Sequence, residues 1–140
     1  MADGATLATI ASIISCFGIA MLVFRIQREI QMRDQGEVNW IPWADRLLVA
    51  ATLLSLLFVV FPLVTFGVSS EKALKSVSAV CAGTTLMVAG YVPAILAHYR
   101  LFFGTHRTGK RVNPEPAEAI IVCTVIAAAL LVFGWLYFVK

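Results

Sequence analysis

The sequence is poor in charge, and four long stretches contain no formal charge at all. Asp, Glu, Lys and Arg make up only 14% of the 140 residues, whereas soluble domains carry about 25%. None of these residues lies within 4–24, 47–70, 76–99 or 119–139. Charges inside membrane segments usually mark ion pathways, proton relays or substrate sites. The charge-free stretches therefore offer no ionised residue that would mark a site of this kind.

Cysteine and histidine are scarce as well, and the few present do not form a motif. The three cysteines lack the spacing of a metal site, and we expect each of them to be a small packing residue. His98 and His106 have no third ligand beside them, which leaves them as headgroup contacts or pH-sensitive groups. The sequence accordingly predicts no catalytic residue, no metal site and no bound cofactor.

Each charge-free stretch is long enough to cross a bilayer. At about 1.5 Å per residue, roughly 20 helical residues cover the 30 Å or so of hydrocarbon. The composition agrees, because 60% of the residues are hydrophobic and the mean hydropathy is +0.88. We predict an all-α integral membrane protein, a single domain over residues 1–140 with four antiparallel transmembrane helices in one bundle. The predicted spans are about 4–24, 47–67, 76–98 and 117–138.

The basic residues predict the orientation. Eight of them lie in the loops at 25–46 and 100–118, and the other three are Lys72, Lys75 and Lys140. Because cytoplasmic loops carry the excess of Lys and Arg, we expect both loops in the cytoplasm of a bacterium and both termini outside its cytoplasmic membrane. The net charge of +3 lies beside the spans, where it favours membrane lipids over nucleic acid as partners. The predicted headgroup contacts are Arg25, Arg28, Arg100, Arg107, Lys110 and Arg111.

Local signals predict where the helices begin and end. Pro62 is expected to bend or end the second helix before Gly67. A tight turn through Ser69 and Ser70 is expected to cap the third helix, with Glu71 in its first turn. Aromatic rings with a polar edge are typical of the interface between water and lipid. The predicted interface anchors are Trp40, Trp43, Trp135 and Tyr137.

The first span divides into two faces at helical spacing. Its bulky stripe consists of Leu7, Ile10, Ile14, Phe17 and Met21. Large apolar side chains gain nothing by leaving lipid, whereas small ones let another helix approach closely. We therefore predict that the bulky stripe faces lipid and that the small face meets protein or a water-filled lumen. The candidate pore or helix-contact positions are Thr9, Ser12, Ser15, Cys16, Gly83 and Gly90.

These observations favour a non-enzymatic function that depends on assembly. The leading hypothesis is a homo-oligomer that encloses a pore or channel lined by Thr9, Ser12 and Cys16, since a charge-free hydroxyl face suits a narrow pore. The alternative is an accessory or scaffold subunit that uses the same face to bind a larger membrane complex. A third hypothesis is a lipid-modifying enzyme that works through His98, His106 and the basic loop, although no nucleophile, base and orienting group are visible together.

Overall fold

The computed structural model describes residues 3–34, 42–67, 70–98 and 115–139, and all of its regular elements are helical. They are α1 (Gly4–Asp34), α2 (Trp43–Ser55), the π-helical turn π1 (Leu56–Val60), α3 (Phe61–Phe66), α4 (Glu71–His98), α5 (Glu115–Gly134) and the π-helical turn π2 (Trp135–Val139). α2, π1 and α3 follow one another without a break, and so do α5 and π2.

The described ranges contain four helices that are long and apolar enough to cross a membrane. They cover Gly4–Arg28, Trp43–Phe66, Glu71–His98 and Pro116–Phe138. This confirms the predicted all-helical class and indicates a membrane protein. α1 continues beyond its span to Asp34.

Side chains cap the N-termini of α1 and α4. At the start of α1, Asp3 Oδ1 accepts a hydrogen bond of 2.8 Å from the Thr6 N–H, and hydrogen bonds from the Thr6 side chain and backbone hold the pKa of this carboxyl below its ordinary value. At the start of α4, Ser70 Oγ accepts a bond of 3.2 Å from the Ala73 N–H, which confirms Ser70 as the cap. Gly67 ends α3 with a φ of 54°, a left-handed conformation that suits glycine.

A π-helical turn precedes Pro62, and the second helix continues past this proline. Proline has no N–H to donate, and inside a helix its ring collides with the carbonyl of the residue four positions earlier, here Phe58. The turn that contains Phe58 is π1, which is wider than an α-helical turn and so leaves room for the ring. The helix then continues as α3 for six residues.

α4 lies at the centre of the packing. It contributes Met87, Tyr91 and Ala94 to one buried cluster, together with residues of α2 and α5 such as Leu48 and Val122. A second cluster joins α4 to α1 and π1, and its members are Leu7, Ala11, Val59, Val77 and Cys81. The interior between the described helices therefore contains two apolar clusters.

The predicted lipid face of α1 is wrong at two of its positions. Leu7 is only 4% exposed and Ile14 only 8%, because both pack into the bundle. They alternate with Ala11 and Gly18, which are also buried. Helices pack by placing bulky side chains in the gaps above small ones, so the buried face of α1 needs residues of both sizes.

Candidate functional site

Four polar side chains lie together, one from each of the four helices that are long and apolar enough to cross a membrane. They are Arg25, Asp45, His98 and Glu118, and we call them the polar cluster. Arg25 and His98 lie near the ends of their spans, whereas Asp45 and Glu118 lie in the first turns of theirs. Ala44 joins the two halves of the cluster, since it precedes Asp45 in the chain and its N–H donates to Glu118.

Glu118 is the best-buried charged residue of the cluster, with an exposed fraction of 0%. Its Oε1 accepts a hydrogen bond of 2.7 Å from the Ala44 N–H, and its Oε2 lies 2.9 Å from His98 Nδ1. A buried carboxylate is tolerated only when its oxygens are paired. Both oxygens of Glu118 meet this requirement with groups from two other helices.

Glu118 also caps the N-terminus of α2. The residue before this helix is Pro42, which provides no side-chain cap, so the first N–H groups of α2 need partners from elsewhere. The carboxylate of Glu118, which belongs to α5, accepts a hydrogen bond from one of these groups, the Ala44 N–H. Negative charge is favoured at the positive end of a helix, and α5 is thereby fixed to α2.

Arg25 does not face lipid headgroups, contrary to the sequence-based prediction. It is 4% exposed, and its Nε lies 3.2 Å from both carboxylate oxygens of Asp45. A guanidinium group so far from water requires a nearby acid, and Asp45 in the first turn of α2 provides it. The pair ties α1 to α2.

The contact between His98 and Glu118 joins α4 to α5. His98 Nδ1 and Glu118 Oε2 are 2.9 Å apart, which is hydrogen-bond distance. With the Ala44 N–H on the other oxygen of Glu118, this carboxylate connects α2, α4 and α5.

The candidate pore or contact positions of α1 divide between two sides of the helix. Thr9, Ser12 and Cys16 are exposed on the outside of the bundle, and the Thr9 hydroxyl donates to the Ala5 carbonyl over 2.9 Å. Ser15 is buried, and its hydroxyl donates to the Ala11 carbonyl over 2.8 Å. The same carbonyl accepts the Ser55 hydroxyl of α2 at 3.2 Å. This shared acceptor joins α1 to α2 in the apolar interior.

The two candidate glycines are also inside the bundle. Both face α5: a Cβ atom on Gly90 would collide with Val125, and one on Gly83 would lie 3.6 Å from the Ala129 carbonyl oxygen. The six candidate positions therefore do not form one surface. A lumen lined by Thr9, Ser12 and Cys16 requires more than one copy of the chain.

Of the predicted aromatic anchors, Trp43 and Trp135 are exposed and Tyr137 is half-buried. Trp43 is exposed, and the guanidinium carbon of Arg46 lies 4.6 Å from its ring centroid. Trp135 is exposed, and Tyr137 stacks on Phe133 with a centroid distance of 5.7 Å.

Of the predicted headgroup contacts, Arg28 is half-buried. The other predicted anchor, headgroup contacts and histidine fall outside the described residues: Trp40, Arg100, His106, Arg107, Lys110 and Arg111.

The sequence does not predict that the four residues of the polar cluster lie close together. Asp45 and Glu118 each precede a charge-free stretch, where an acid is favoured simply as part of the first turn of a helix, and Arg25 is predicted as a headgroup contact. A further signal is present, since all four residues lie at or just beyond a charge-free stretch, on the side predicted to be cytoplasmic.

The described residues contain no group of three or more His, Cys, Asp or Glu side chains placed to hold a metal ion. Comparison with known proteins gave no match, either with a protein-family model, with a curated protein or with a solved structure.

Proposed function

We propose that the protein is a non-enzymatic integral membrane protein that acts by assembly, and that several copies enclose a narrow pore. The observation that carries this proposal is the outward position of Thr9, Ser12 and Cys16, which we call the α1 stripe. At about 100° per residue, the stripe lies almost opposite the buried face that contains Ala11 and Gly18. It is thus free to meet another copy.

The chemistry of the α1 stripe suits a contact between helices in lipid. Small residues spaced three or four positions apart let two backbones approach, and hydroxyl groups can bond across the contact. The same residues can line a pore without a charge. The interior of one chain contains two apolar clusters, so the pore of this proposal forms between copies.

An accessory or scaffold subunit is the alternative, because a larger membrane complex can bind the same stripe. A lipid-modifying enzyme is the third candidate. The pair of His98 and Glu118 gives it a base and an orienting carboxylate, but its reaction also needs a nucleophile.

The proposed topology is antiparallel, with the loops at 25–46 and 100–118 in the cytoplasm and both termini outside the bacterial membrane. We expect Gly36→Cys and Gly109→Cys, each in a background without the three natural cysteines, to react in intact cells only with a membrane-permeant thiol reagent. Lys72→Cys is the matched control, and an impermeant reagent should label it. Labelling of Gly36→Cys or Gly109→Cys by the impermeant reagent in intact cells contradicts this topology.

The assembly proposal predicts that Ser12→Leu shifts the purified protein from oligomer to monomer, because a bulky side chain separates backbones that serine allows to approach. Native mass spectrometry in detergent or nanodiscs measures the change. For the pore, Thr9→Cys and Ser12→Cys in the cysteine-free background should react with hydrophilic thiol reagents and lose conductance in planar bilayers.

The control is Ile10→Cys, which lies on the side of α1 and should stay shielded by lipid. Oligomers without conductance and without labelling at Thr9→Cys or Ser12→Cys would refute the pore. Helix packing would then remain as the role of the α1 stripe. A monomer that oligomerises only with a co-purified complex would favour the accessory subunit.

A further inference from the structure

An apolar groove runs along the outside of the bundle between the second, third and fourth spans. Its volume is about 540 Å³, within the range of roughly 300–1,000 Å³ that is usual for ligand sites. We infer that this groove binds one acyl chain of a membrane phospholipid. The residues that line it include Ala50, Leu54, Phe58, Gly83, Thr84 and Leu130.

The groove exists because small residues form its floor and bulky residues form its rim. Gly83 has no side chain, and the nearest atom to a Cβ placed there is the Ala129 carbonyl oxygen at 3.6 Å. Leu54, Phe58 and Leu130 are exposed at the rim. An acyl chain in this recess contacts protein on several sides, and the attraction from these dispersion contacts is additive. An acyl chain against the convex surface of the protein contacts it on one side only.

The chemistry of the lining selects a hydrocarbon. All lining residues lie within charge-free stretches of the sequence, at the depth of the lipid tails. Thr84 is the polar residue among them, and its hydroxyl already donates to the Cys81 carbonyl over 3.0 Å. A polar solute would find no partner here, whereas an acyl chain needs none.

The length of the groove agrees with one acyl chain. From Ala50 to Phe58 the second helix rises by about 12 Å at 1.5 Å per residue. One leaflet provides about half of the 30 Å hydrocarbon thickness, or roughly 15 Å. The groove therefore matches the depth occupied by the tail of one lipid.

The π1 turn, which accommodates Pro62, contributes to the rim of the groove. Phe58 belongs to this turn and is exposed at the rim. A π turn adds a residue to the helix and so changes the direction of the side chains around it.

Within the described part of the chain, no residue of α1 lines the groove. Binding of a lipid there is thus independent of the α1 stripe, and either proposal can fail while the other stands.

A photoreactive phospholipid with a diazirine in its acyl chain tests the inference. The unmodified protein is reconstituted in phosphatidylethanolamine and phosphatidylglycerol vesicles, illuminated and mapped by mass spectrometry. We expect several-fold more cross-linking at Leu54, Phe58 and Leu130 than at exposed residues outside the groove. The comparison residues are Leu53 and Val92, both 51% exposed, and Leu131, 75% exposed.

Ala50→Leu should fill the groove and reduce this cross-linking several-fold, whereas Ala127→Leu, on the exposed side of α5, should leave it unchanged. Circular dichroism verifies that both variants keep their helices. Cross-linking that simply follows exposure, with Leu131 labelled most, would overturn the inference. So would an unchanged pattern in a folded Ala50→Leu variant.

Discussion

Replacing Glu118 by alanine should be among the most destabilising single changes in this protein. The substitution leaves the Ala44 N–H without its acceptor of 2.7 Å and His98 without its carboxylate. Removal of one partner from a buried ionic group costs about 3–5 kcal/mol. We expect a loss of this order in the free energy of unfolding, measured by titration with sodium dodecyl sulfate in mixed micelles.

Glu71→Ala is the matched control, because Glu71 is an exposed acid in the first turn of α4. Its loss should cost about 0.3–1 kcal/mol, the usual contribution of an acid near a helix N-terminus. Glu118→Gln should lie between the two, since its amide oxygen can still accept the Ala44 N–H. Equal losses for Glu118→Ala and Glu71→Ala would show that the polar cluster does not hold the helices together.

A double-mutant cycle separates the contribution of His98. Because His98 and Glu118 share one contact, the loss in His98→Ala with Glu118→Ala should be smaller than the sum of the two single losses. Additive losses would indicate that the imidazole contributes through contacts other than Glu118.

The spans were predictable because membrane insertion depends on a local property of the sequence. A run of apolar residues either covers the hydrocarbon or does not, and no knowledge of its neighbours is needed. The Ser70 cap and the Gly67 terminus are local in the same sense, since each depends on a residue type at a helix end. The sequence therefore predicts the helices and most of their boundaries.

The polar cluster was not predictable in this way, because its contacts join distant residues. Glu118 and Ala44 are separated by 74 positions, and their meeting depends on which helices are neighbours and on how far each is shifted along its axis. Pro42 gave an indirect indication. A helix that starts after proline has no side-chain cap from that residue, so its first N–H groups need acceptors from elsewhere.

The faces of α1 show a second limit of local reasoning. Size alone assigned Leu7 and Ile14 to lipid, but a helix in a bundle also buries bulky residues where its neighbours offer gaps. Gly18 marks such a contact, because a Cβ there would collide with Thr52 Oγ1 of α2 and would lie 3.2 Å from Thr52 Cβ. The position of Thr52 is not available from the sequence of α1.

Gly90→Ala should destabilise the protein although it improves helix propensity. Alanine is favoured over glycine by about 1 kcal/mol inside a helix. At this position, however, the new Cβ would collide with both methyl groups of Val125 and would lie 2.9 Å from its Cβ. Valine in a helix has one strongly preferred rotamer, so Val125 cannot turn away, and α4 and α5 have to separate. Overpacking of this kind costs about 1–3 kcal/mol. After subtraction of the gain in helix propensity, we expect a net loss of up to about 2 kcal/mol in the free energy of unfolding.

Substitutions at two other glycines are the controls, and one compensating substitution tests the collision with Val125. Gly134→Ala meets no atom within 4 Å, and the added Cβ in Gly83→Ala makes only an ordinary contact of 3.6 Å. Both variants should therefore be as stable as the parent protein or more stable, as helix propensity alone predicts. Val125→Ala removes the two methyl groups with which the added Cβ collides but keeps the Cβ atom 2.9 Å away. The double variant Gly90→Ala with Val125→Ala should therefore recover part of the stability lost in Gly90→Ala. If Gly90→Ala instead behaved like Gly134→Ala, the close approach of α4 and α5 at Gly90 would not exist in the folded protein.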